Sequence, residues 1–125
     1  PTVARAAWYG RIYVTAVALY LVMFMCFAAA PATALAAASL FLGGVFGAGF
    51  AVMQATLVYR ASPVEMRARL LGVVSVCIGT APLGFLYLGL LAEMFTPRTA
   101  TIALAAQGLV VMLLTRRYWL ATLRL

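Results

Sequence analysis

Apolar residues fill this chain in four long runs, separated by short clusters rich in proline, arginine and small polar residues. The runs predict helices over about 12–30, 33–59, 64–95 and 99–115. Each is near the roughly 20 residues that an α-helix needs to cross a ~30 Å hydrocarbon core. None carries the regular polar stripe that a helix of a soluble bundle shows to water. In lipid the backbone must bond within its own segment, so such runs are expected to be helical. The breaks hold turn chemistry: Ala30-Pro31-Ala32-Thr33, Arg60-Ala61-Ser62-Pro63 and Thr96-Pro97-Arg98. Proline cannot continue a helix that has just ended, yet it sits without cost in the first turn of the next. The fold class expected is all-α and integral to a membrane, residues 1–125 forming one membrane segment with four transmembrane helices.

Composition agrees and narrows the class. Hydrophobic residues make up 67% of the 125 and charged ones 9%, too little polar surface for a water-soluble domain of this size. The formal net charge is +7, supplied by arginine without any lysine and opposed by Glu65 and Glu93. The arginines stand between apolar runs, so nucleic acid is not the expected partner and the lipid bilayer, with its anionic head groups, is. Arg5 and Arg11 precede the first run, Arg60, Arg67 and Arg69 lie between the second and third, and Arg116, Arg117 and Arg124 follow the fourth. Arg98 alone falls on the opposite side. The positive-inside rule then puts both termini and the middle loop in the cytoplasm of a multi-pass protein of the cell inner membrane. Trp8, Tyr9, Tyr59, Tyr118 and Trp119 gather at the same face, as an interfacial aromatic belt would.

Little in the chain suggests catalysis. Histidine is absent, and Cys26 and Cys77 sit within apolar runs with no CxxC spacing, so neither a metal site nor a disulfide is expected. No acid lies in the interior of a run, which leaves no place here for ion coupling by a buried carboxylate. No nucleophile–base pair and no phosphate loop occurs, so neither an enzyme nor a cofactor is expected. The first residue is Pro1 and no secretory-signal layout follows it, which reads as a fragment of a longer chain.

The polar and small residues within the runs carry the remaining information. Gly43 and Gly47 form a GxxxG pair, and Gly44 with Ala48 a small-xxx-small pair. Such rows either let backbones approach closely or leave room for a substrate, so Gly47 has both readings. Gln54 and Thr56 lie further along the same run; each either bonds across helices or lines a cavity. Gln107, mid-way through the fourth run, is expected to act as interhelical glue. In the third run Gly72, Ser75 and Gly79 share a face, and Pro82 with Gly84 predicts a kink within the membrane. Glu65 suits the positive end of the helix dipole, whereas Arg67 and Arg69 do not and are expected to find partners elsewhere.

The stretch that links these features resembles the major facilitator superfamily of secondary transporters, in particular its enterobactin and multidrug exporter branch. The resemblance rests on a glycine-rich helix ending in Gln54-Ala55-Thr56-Leu57, then Ser62-Pro63-x-Glu65-x-Arg67-Ala68-Arg69-x-x-Gly72, then Pro82-Leu83-Gly84 and Gly89. Ala68 stands where family members commonly have glycine. The likeness implies that the four spans are the last four of a twelve-helix bundle, the remaining helices lying upstream of Pro1. It implies a cavity-lining second helix with Gln54, Thr56, Gly47 and, from the third, Ser75 as substrate-cavity candidates. It also implies a cytoplasmic gate at Glu65, Arg67 and Arg69, a kink at Pro82 and Gly84, and more peripheral first and fourth helices. The function implied is alternating-access efflux of a small drug or siderophore-like molecule. A non-transporting membrane scaffold or assembly subunit is the alternative. A four-helix small multidrug exporter is a weaker one, since those depend on a glutamate in the first helix and the run from Ile12 to Ala30 has no acid.

Overall fold

The computed structural model describes residues 2–118, with side-chain surroundings from Trp8 onward. Trp119 and Arg124, counted above in the aromatic belt and the charge bias, lie outside the described residues, as does the side chain of Arg5. The described chain forms α1 (Thr2–Ala29), α2 (Thr33–Ala61), a 3-10 turn (Val64–Met66), α3 (Arg67–Gly79), α4 (Ala81–Met94) and α5 (Pro97–Leu114). Among the described residues four segments are long and apolar enough to cross a membrane: Trp8–Ala29, Thr33–Ala61, Val64–Met94 and Pro97–Leu114.

Each boundary has a local cause. Ala30 closes α1 with a bond to the Phe27 carbonyl, and Pro31 follows. Thr96 starts α5 as an N-cap: its hydroxyl accepts from the Thr99 amide at 3.2 Å, and Pro97 occupies the first turn. Ser62 ends α2 in an extended conformation (φ −97°, ψ 137°), the region a residue before proline prefers.

Two boundaries differ from the expectation. Helix α1 begins at Thr2, not near Ile12, so Arg5 and Arg11 lie on a helix rather than in a preceding loop. Hydropathy marks where a helix enters lipid, but the alanines and arginines of this lead-in are good helix formers, so the helix continues past that point. The third span is two helices rather than one. Pro82 has no N–H for the Ile78 carbonyl, and the backbone around it tightens instead: Thr80 bonds to Cys77 at 3.3 Å and Leu83 to Thr80 at 3.0 Å. The Thr80 hydroxyl also donates to the Cys77 carbonyl at 2.6 Å, occupying an acceptor that the interruption frees. Gly84 lies one turn beyond, in open space.

Helix α1 is the centre of the arrangement. It packs against α2 along one side and α5 along another, while α4 leans on α5 and α3 touches little beyond the end of α2. The α1–α2 contact is made over glycine: a Cβ on Gly43 would meet Met23 at 3.4 Å, and one on Gly47 would meet the Tyr20 ring at 3.0 Å. Gly108 plays the same part in α5, where Leu21 lies 3.1 Å from the position of a Cβ. Among the described residues the buried hydrophobic ones are Ala16, Ala100 and Ala105, and no large side chain is fully buried. Glycines that admit a neighbour's side chain, rather than fully buried large residues, mark where these helices meet. The family resemblance made the first helix peripheral; within the described segment it is the best covered, because small residues on both neighbours let them close on it.

Candidate functional site

The helices alternate in direction, and their ends are tied pairwise. At one end Arg60 of α2 stacks over the Tyr9 ring of α1, its guanidinium carbon 4.6 Å from the centroid. At the other, Arg98 of α5 donates to the carbonyl of Ala29, the last residue of α1, at 2.9 Å. Arg98, the lone arginine on its side, therefore satisfies an orphan carbonyl at a helix C-terminus, where a cation is favoured by the dipole. The remaining described arginines share the first end.

The turn between α2 and α3 is built around Ser62, 6% exposed and the only buried polar residue among those described. Its hydroxyl and its amide both donate to the Val58 carbonyl, the amide at 3.1 Å. Pro63 then turns the chain, and Met66 bonds back to the Pro63 carbonyl at 3.0 Å to close the 3-10 turn. Arg67 folds over this turn. Its guanidinium carbon lies 4.1 Å from the centroid of the Tyr59 ring, and its Nε points at the Ser62 carbonyl at 3.4 Å. A cation over an aromatic face contributes about 0.5–1 kcal/mol at an exposed site and more where water is excluded.

The gate candidates thus divide. Arg67 contacts Tyr59 and Ser62, both outside its own helix at the end of α2. Glu65 and Arg69 are exposed on either side of it.

The cavity candidates do not converge. Gly47 lies against Tyr20, where it serves helix contact. Gln54 is half-buried and shares a helical row with Gly43, Gly47 and Phe50; Phe50 meets the Tyr13 ring of α1 at 5.5 Å, so this row faces α1. Thr56 donates to the Val52 carbonyl at 2.8 Å and borders a shallow groove with Tyr59, Arg60 and Leu71, between α2 and α3. Ser75 is exposed on α3 and donates to the Leu71 carbonyl at 3.0 Å. Both hydroxyls are satisfied within their own helix.

A half-enclosed cavity lies elsewhere, between α1, α4 and α5, with a volume of about 440 Å³. Ala81 and Gly84 form its wall at the interrupted span, and Tyr20, Phe24, Phe27 and Phe85 supply rings. No charged residue lines it. Pro82 and Gly84 were legible as a kink, but not as the edge of a cavity, because the opposing rings come from a helix more than fifty positions away in the chain. Gln107 receives a long hydrogen bond, 3.5 Å, from the Tyr87 hydroxyl, joining α4 to α5. Cys26 and Cys77 are free thiols, and among the described residues no cluster of His, Cys, Asp or Glu could hold a metal ion.

No protein-family model matches the chain, and neither a curated protein nor a solved structure matches it.

Proposed function

We propose that this chain is the C-terminal four-helix part of a major-facilitator-type secondary transporter that exports a small molecule by alternating access. The observation that carries the reading is the interrupted third span, split at Thr80 beside a half-enclosed apolar cavity and entered through the Ser62–Arg67 turn. Broken helices beside a cavity suit a transporter, whose two halves rock about a site near the midplane. The third span also supports a larger bundle: neither α3 nor α4 has a buried residue, leaving a long face for helices of the other transporter half or for lipid. On this reading the arginine-rich end faces the cytoplasm of the cell inner membrane, in keeping with the positive-inside bias. Arg67 would hold the turn in one state and Arg69, exposed, would engage the other half of the protein when the cytoplasmic side closes.

The test is efflux of a fluorescent amphiphile from proteoliposomes containing the full-length protein. The double variant Arg67→Ala, Arg69→Ala is expected to lower the rate by about tenfold, the scale of one lost part-buried cation–π contact with its hydrogen bond, without altering membrane insertion. An unchanged rate removes the gating role. Absence of transport by folded wild-type protein across a panel of cationic, neutral and anionic amphiphiles removes the transporter reading.

A second reading has one observation in its favour. Arg67, Thr56, Ser75 and Gly47 are all engaged within the chain, as a non-transporting scaffold or assembly subunit would require. The same panel separates the two, since a scaffold moves none of the amphiphiles.

A further inference from the structure

One groove belongs neither to the basic turn nor to the interrupted span. It has a volume of about 420 Å³ and follows α1 from Trp8 and Arg11 past Ile12 to Leu19, with Phe46 of α2 at its side. These α1 positions recur at helical spacing, so they form one continuous face. Ala16 is the floor, 8% exposed and too small to fill it. The Thr15 hydroxyl donates to the Arg11 carbonyl at 2.8 Å and so offers the groove no free proton. The channel is therefore apolar along its length, and Arg11 is the one cation at its mouth among the described residues.

Its dimensions match a particular kind of molecule. Eight residues separate Arg11 from Leu19, about 12 Å of helix rise. That is close to the roughly 15 Å from the membrane interface to the bilayer midplane. Trp8, 66% exposed, stands beside Arg11 at the level where indole rings anchor in an interface. Among the described residues no acidic one lines the groove, so none of them neutralises Arg11 there. Arg60 and Arg67, at the same end of the bundle, are already stacked on Tyr9 and Tyr59.

We infer that this groove is a binding site for one anionic phospholipid. The phosphate pairs with Arg11, and one acyl chain lies over Ala16 toward Leu19 and Phe46. A zwitterionic lipid presents the same phosphate with its own ammonium beside it, which competes with Arg11 and forfeits most of the gain. The inference requires the chain to be embedded in a membrane and does not depend on transport.

The experiment is native mass spectrometry of the full-length protein released from detergent micelles holding equal amounts of phosphatidylglycerol and phosphatidylcholine. Phosphatidylglycerol is expected to be retained about fivefold over phosphatidylcholine, the preference that one basic side chain gives at a charged membrane surface. Arg11→Gln abolishes the preference, Arg11→Lys keeps most of it, and Arg69→Gln, on α3 and outside the groove, leaves it intact. Leu19→Trp fills the inner end and lowers retention of a long-chain phosphatidylglycerol but not of a short-chain one. Equal retention of both head groups, an unchanged preference in Arg11→Gln, or equal losses in Arg11→Gln and Arg69→Gln would overturn the assignment. So would retention of neither lipid, the outcome if another protein segment fills the groove. The Arg11→Lys variant shows whether a loss in Arg11→Gln reflects charge rather than misfolding.

Discussion

The side of the bundle made by α1, α2 and α5 and the span made by α3 and α4 are built on opposite plans. On the first, a side chain of the neighbouring helix occupies the space that each of Gly43, Gly47 and Gly108 leaves. On the second, Gly72, Gly79, Gly84 and Gly89 face open space, and no residue is buried. Both regions are built from apolar helices that carry glycine. Glycine content therefore does not say whether a membrane helix is locked or loose; only the partner across from it does. The difference is that α1, α2 and α5 close over Gly43, Gly47 and Gly108, whereas α3 and α4 leave their glycines open and meet chiefly α2 and α5.

The side made by α1, α2 and α5 should be the easier to break. In Gly47→Leu the new side chain must enter the space of the Tyr20 ring, already 3.0 Å from where a Cβ would stand. A cost of about 2–3 kcal/mol is expected from such overpacking, read as a lowered unfolding midpoint in detergent. Gly44→Leu, three positions earlier and open, should stay within about 0.5 kcal/mol of the parent. Equal losses in both would mean that α1 and α2 do not meet through this face.

The loose span should respond in the opposite sense. Pro82→Ala returns an N–H to the Ile78 carbonyl and allows α3 and α4 to join. Amide hydrogen exchange at residues 80–84 should slow by about tenfold, a gain of about 1.4 kcal/mol in local stability. No change would place the cause of the interruption in tertiary contacts rather than in proline. The smallest effect is expected at the tie between the two regions. The Tyr87–Gln107 bond is long at 3.5 Å, so Tyr87→Phe should cost no more than about 0.5 kcal/mol in the same unfolding assay.

Much of this was legible from residue order, and the reason is physical. Proline and the polar clusters stop helices through local geometry, so the breaks at Pro31, Ser62-Pro63 and Thr96-Pro97 could be read without knowing any neighbour. The long apolar runs likewise identified four helices able to span a membrane. Contacts between helices were harder. Gly43 and Gly44 begin equivalent small-residue rows, but one meets Met23 and the other meets nothing, a difference set by how α2 is rotated about its axis. Gly108 stands alone without a second glycine four residues away, so no GxxxG pattern drew attention to it. The stacking of Arg67 on Tyr59 depends on the turn doubling back over eight positions, which the polar cluster suggests only in outline. Ser62 was visible as part of a loop, yet its burial under that turn was not.

The bond between Arg98 and the Ala29 carbonyl joins residues 69 positions apart. The α1–α2 hairpin needs only its own short turn, so it can assemble while the later helices are still being made. The seam between α1 and α5 cannot: it waits until Pro97–Leu114 has been synthesised and inserted. During that interval the face of α1 that Gly108 later covers is open to lipid and to other chains. The order of synthesis thus gives the segment a moment of exposure, and the arginine at the start of the last helix is placed to end it.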